Sequence, residues 1–112
     1  MAPWRKKRQR DEDTEGRPSL EEARRLLSME ETRLRGLPYD ELLKLQEPIV
    51  KELRGQHGYV YDVEIQSFWD SKKKGDLRVI LTMAAWWGWG IVTPQELMAD
   101  FIMAPDGTFI GE

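Results

Sequence analysis

The chain has 112 residues, 40% hydrophobic and 33% charged, which suits a single core and is too apolar for disorder throughout. It contains no cysteine, which excludes a disulfide framework, a thiolate nucleophile and a cysteine-based zinc site. The net charge of −3 is unevenly spread, with +5 over residues 5–10, −3 over residues 11–17 and −5 over residues 18–112.

No apolar run approaches the ~20 residues that span a bilayer, and the N-terminus lacks the apolar stretch of a signal peptide. The expectation is a soluble intracellular protein with no membrane partner, cytoplasmic, or nuclear if the source is eukaryotic. Residues 1–17 hold too few apolar side chains to offset the entropy of ordering and read as a disordered charged arm. Its basic block, Arg5, Lys6, Lys7, Arg8 and Arg10, suits phosphate contacts and makes nucleic acid one candidate partner. The adjacent acidic residues favour the plainer reading of a solvated tail.

Residues 18–112 read as one α+β domain. Ser19 followed by Glu22 has capping-box form, so a helix is expected over about 19–35, with Leu20, Ala23, Leu27 and Leu34 on one face. Glu21–Arg25 and Glu31–Arg35 have the spacing of favourable ion pairs. A second helical stripe, Leu42, Leu45, Ile49 and Leu53, predicts helix over about 38–54, kinked or divided by Pro48.

From Gly58 the period changes to two. Tyr59, Tyr61, Val63, Ile65 and Trp69 alternate with Asp62, Glu64 and Gln66, and Leu77, Val79, Leu81 and Met83 with Arg78, Ile80 and Thr82. The polar segment 70–76, with Lys72, Lys73, Lys74 and Gly75, supplies the turn of a hairpin over about 58–87. Arg78 and Thr82 are expected across from Asp62 or Glu64. Ile80, Ala84 and Trp86 make the outward face partly apolar. Thr93 to Glu96 repeats the capping-box form, and Pro105-Asp106-Gly107-Thr108 predicts the turn of a C-terminal hairpin over about 99–111. The expected architecture is two to three N-terminal helices packed on one face of a three- to four-stranded antiparallel sheet. This order resembles the helix-then-sheet layout of cystatin-like folds, and a shared layout does not carry function.

Catalytic constellations are missing from this reading. His57 is the one histidine, in a glycine-flanked loop with no nucleophile in sequence beside it, and no phosphate-binding glycine motif or nucleophile elbow occurs. No catalytic residue, metal or cofactor is therefore assigned. Asp62 and Glu64 share one strand face about 7 Å apart, a spacing that suits a two-carboxylate site but also any solvated sheet face. The cluster Trp86, Trp87 and Trp89, set among glycines, crowds more aromatic surface than one buried face absorbs. Exposed tryptophan dominates interface hot spots. The leading expectation is a non-enzymatic protein-binding module of accessory, inhibitor or immunity type, using Trp86, Trp87, Trp89, Asp62, Glu64 and Arg78. A small-ligand or enzymatic domain with a pocket between helices and a curved sheet, and a nucleic-acid-associated protein using the basic arm, are the alternatives. Self-association through a sheet face or edge is a further expectation.

Overall fold

The computed structural model describes residues 19–56, 58–86, 91–92 and 97–112, with backbone alone at 85, 86, 91 and 92. The arm over 1–17, His57, Trp87, Trp89 and the Thr93–Glu96 motif lie outside the described residues. The chain runs α1 (Leu20–Arg35), α2 (Tyr39–Leu43), a 3-10 turn (Lys44–Gln46), then β1 (Ile49–Arg54), β2 (Val60–Trp69), β3 (Leu77–Trp86), β4 (Ile91–Val92), β5 (Met98–Met103) and β6 (Phe109–Ile110). The strands form one antiparallel sheet in the order β1-β2-β3-β5-β6, with β4 paired to the far end of β3.

The fold is therefore α+β with an antiparallel sheet, and it has more strands than expected. The helix predicted to reach residue 54 stops at Gln46, and Ile49–Arg54 is instead an edge strand. Pro48 supplies no amide to a helix, and the β-branched Ile49 and Val50 favour extended backbone. The stripe misled because Ile49 and Leu53 are four apart, a spacing that lies on one face of a helix and also on one face of a strand.

Core positions follow the two periods. Ala23, Leu27 and Leu34 of α1 and Leu42 of α2 are buried in one cluster with Tyr61, Val63 and Ile65 of β2, Leu77, Val79, Leu81 and Met83 of β3, and Phe101 and Met103 of β5. Within the turn between β2 and β3, Asp70 N–H donates to Asp76 O at 2.8 Å, and Tyr39 reaches over from α2 to donate its hydroxyl to Gly75 O at 2.6 Å. Buried Ser67 donates to Leu42 O at 2.8 Å and so satisfies a carbonyl in the last turn of α2. No helix among the described residues is long and apolar enough to cross a membrane.

Two charges stand on the core side and find each other there. Glu30 lies in the apolar stripe of α1 and is 5% exposed. Its carboxylate accepts from Arg33 at 2.6 and 3.1 Å and from Lys51 of β1 at 3.1 and 3.2 Å. An inward-pointing lysine on an edge strand also discourages edge-to-edge pairing. Burial works to raise the Glu30 pKa, and the hydrogen bonds from Arg33 and Lys51 outweigh it, holding the carboxyl below its ordinary 4.5. A depressed carboxyl stabilises the fold above the unfolded-state value, and that contribution is lost as pH falls through the folded-state value. Glu30→Gln is expected to cost about 1 kcal/mol at pH 7 and less at pH 3, read from thermal melts at both.

The C-terminus is clasped to α1. Arg35 donates to both carboxylate oxygens of Glu112 at 2.8 and 2.9 Å and to Glu31 at 3.0 Å. Its guanidinium lies 4.8 Å from the Phe101 ring centre and 4.9 Å from that of Phe109, and the two rings meet edge to face at 5.9 Å. The Glu31–Arg35 pair of the sequence pattern is thus present, whereas Arg25 lies 3.9 Å from Glu22.

Candidate functional site

The second face of the sheet is set by the same alternation that builds the core. Register places Val50, Glu64, Thr82 and Met98 in one row across the strands, and Gln66, Ile80 and Asp100 in the next. Phe68, Arg78, Ile102 and Ile110 form the row beside the hairpin turn. Among the described residues, Ala23, Leu27, Leu34 and Leu42 of the helices share one buried cluster with the odd-numbered residues of β2 and β3. Large apolar groups consequently stay in water, with Phe68 39%, Met98 48% and Ile110 40% exposed. Ile80 and Ile102 are half-buried between them.

Charge on this face varies along the strands, with Arg78 and Asp100 in its middle rows and Arg54 in the row beyond Glu52. Glu52 and Asp62 sit in one row at the end away from the turn, Glu64 in the next, and exposed Lys72, Lys73 and Lys74 project at the turn itself. Asp62 is buried at 9% exposure while Glu64 is half-buried, so the two carboxylates share a face but not an environment. Thr82 stands opposite Glu64 as expected, but Arg78 stands opposite Phe68 and Ile102. The turn fixes Trp69 against Leu77, so the residue after Leu77 pairs near the turn and Asp62 pairs near the other end, with Ala84. Arg78 instead donates to Asp70 at 2.8 Å and to Asp100. The hydrogen bond to Asp70 first, and then that to Asp100, stabilises its charged form.

A part-buried polar network lies where α1 starts. Ser19 Oγ accepts from Glu22 N–H at 3.2 Å, the first half of the capping box. The return half is replaced: Ser19 N–H donates to Tyr61 Oη at 2.9 Å, and the Glu22 carboxylate accepts from Tyr61 Oη–H at 3.0 Å and from Gln56 N–H at 2.6 Å. Tyr59 meets Tyr61 edge to face at 4.8 Å. Burial, with the Glu22 carboxylate adding to it, pushes the Tyr61 hydroxyl up to about 12. Tyr61 is fully buried, so the network fastens the helix to β2 and to Gln56. Sequence reading missed it, because nothing in the local pattern says that the Glu22 side chain turns toward β2.

Of the residues read as partner-binding, Asp62, Glu64 and Arg78 lie on the one sheet face. The backbone of Trp86 ends β3 opposite Ile91, while Trp87 and Trp89 are outside the described residues, as are Arg5, Lys6, Lys7, Arg8 and Arg10. Phe68, Met98 and Ile110 were not singled out, although an apolar residue on the polar phase of a strand, as Phe68 is, was a readable signal. Among the described residues no group of three or more histidine, aspartate or glutamate side chains could hold a metal ion. Neither a protein-family model, a curated protein nor a solved structure matches the chain.

Proposed function

We propose that the protein is a binding module that docks another protein on the open face of its sheet, with Trp86, Trp87 and Trp89 contributing aromatic contacts to that partner. In this reading the helices keep one face of the sheet for the core and leave the other to the partner. The observation that carries it is the exposure of Phe68, Met98 and Ile110 on one sheet face, where the Arg78–Asp100 pair lies among them. Exposed apolar side chains gathered on one face mark a protein interface. Aromatic anchors at its centre hold most of the binding energy.

The test is capture from a lysate of the source cell by wild type, Phe68→Asp, Met98→Asp, Trp86→Ala and Trp89→Ala, with Met29→Asp as a control. Met29 is 58% exposed on α1, away from the sheet. A protein retained by wild type and by the control, and reduced about 10-fold or more by Phe68→Asp and Met98→Asp, supports the reading. Equal retention by all variants, with unchanged circular dichroism, removes it.

A further inference from the structure

The geometry points to a second copy of this chain as an occupant of the open face, packed face to face with its strands antiparallel to those of the first. The inference rests on the binding-module reading above and names its partner. It comes from the net charge along the strands: three lysines against Asp76 at the turn, Phe68 and Ile80 in the middle with Arg78 paired to Asp70 and Asp100, and Glu64, Asp62 and Glu52 against Arg54 beyond them. At about 3.3 Å per residue, the lysine tip lies roughly 20 Å from Ile80 in one direction, and the Glu64 and Glu52 rows about 7 and 13 Å in the other. The midpoint between tip and acidic rows falls between Ile80 and Phe68.

A two-fold axis crossing the strands there reverses their direction and keeps each strand over its own counterpart. Lys72, Lys73 and Lys74 of each copy then lie over Glu64 and Glu52 of the other, twice by symmetry. Phe68 and Ile80 of the two copies meet at the axis, where sheets stack about 10 Å apart. Arg78 enters this centre with Asp70 and Asp100 already paired to it, so no lone cation is buried. The 34 residues of β1, β2, β3, β5 and β6 give about 540 Å² a side, below the standard interface size, so the association is of the weak, concentration-dependent kind. A two-fold axis parallel to the strands would instead set tip against tip and acid against acid.

Sedimentation equilibrium between about 1 and 500 µM tests it on the full chain. Wild type is expected to rise from 13.2 kDa toward twice that mass. Lys72→Glu/Lys73→Glu/Lys74→Glu and Glu52→Lys/Glu64→Lys each set like charges against like at both ends, so each alone should stay monomeric to at least 10-fold higher concentration. Their equimolar mixture restores opposite charges at both ends and should dimerise. Circular dichroism checks that both variants fold.

A wild type that stays at 13.2 kDa throughout overturns the inference. So does a dimer that both variants retain, or a mixture that stays monomeric. A monomeric wild type alongside a dimeric variant with Arg5, Lys6, Lys7, Arg8 and Arg10 changed to serine overturns it too, by giving the face to the chain's own arm. The two proposals fail separately. A monomer that still captures another protein through Phe68 and Met98 removes only the second copy, while capture that ignores Phe68 and Met98 removes the face itself.

Discussion

Tyr61→Phe lowers stability at neutral pH by about 2–3 kcal/mol, roughly a 10 °C fall in the melting temperature. The ring stays, so the packing against Tyr59 and the core stays with it, and the loss is that of one oxygen. That oxygen accepts from the Ser19 amide and donates to Glu22, and of the two partners left behind Glu22 is half-buried while exposed Ser19 can turn to water. The same substitution changes the alkaline limb. The folded-state hydroxyl sits at about 12, above the ordinary value of 10.0, so its contribution is complete below pH 10 and is lost as pH rises toward 12. Wild type should lose stability over that window in urea titrations, and the variant should show a flatter slope. Equal slopes would mean that the hydroxyl is not held as the network requires.

Gly55→Ala is expected to cost a similar amount, about 2–3 kcal/mol, through the same carboxylate. A methyl carbon at Gly55 would fall 2.4 Å from Glu22 Oε1 and 2.7 Å from its Cδ. A surface glutamate would swing away at little cost. This one is held by Gln56 N–H and by Tyr61, so moving it breaks both bonds. Because the two substitutions act on one group, their effects should fall short of additive by about 1 kcal/mol in a double-mutant cycle followed by chemical denaturation. Strict additivity would place the damage in the loop backbone and not in the carboxylate.

These two positions also show where sequence reading stops. The core of β2 and β3 was legible because Tyr61, Val63 and Ile65, and then Val79, Leu81 and Met83, repeat at a period only a strand has. The first helix was legible because its cap and its stripe agree. The segment after Pro48 was not, since Ile49 and Leu53 satisfy both periods and only the lysine between them, turned inward toward Glu30, distinguishes the strand. The candidate surface was half legible. Ile80 and Ala84 already marked the outward face as partly apolar, but the partners of Arg78 depend on how many residues the turn consumes, which composition does not encode. Glu22 is the clearest limit, a capping residue by pattern whose carboxylate is used 39 positions away.

The clasp of Arg35 on Glu112 joins residues 77 apart, whereas β2 and β3 are joined by a short turn. The span is closed by the core that α1 shares with β5, so what holds β6 itself is two pairings and the Arg35 guanidinium. β6 therefore behaves as a latch with its own opening equilibrium, lighter than global unfolding. When it lifts, β5 loses the two pairings it shares with β6 and stands bare along its whole outer side, and the Phe101 ring loses the Phe109 ring and the cation that cover it. Hydrogen exchange at Ile102 and Ile110 would register this motion long before the core amides of β2 and β3, and the lifted state would add the Ile102–Met103 end to the strand edge on offer.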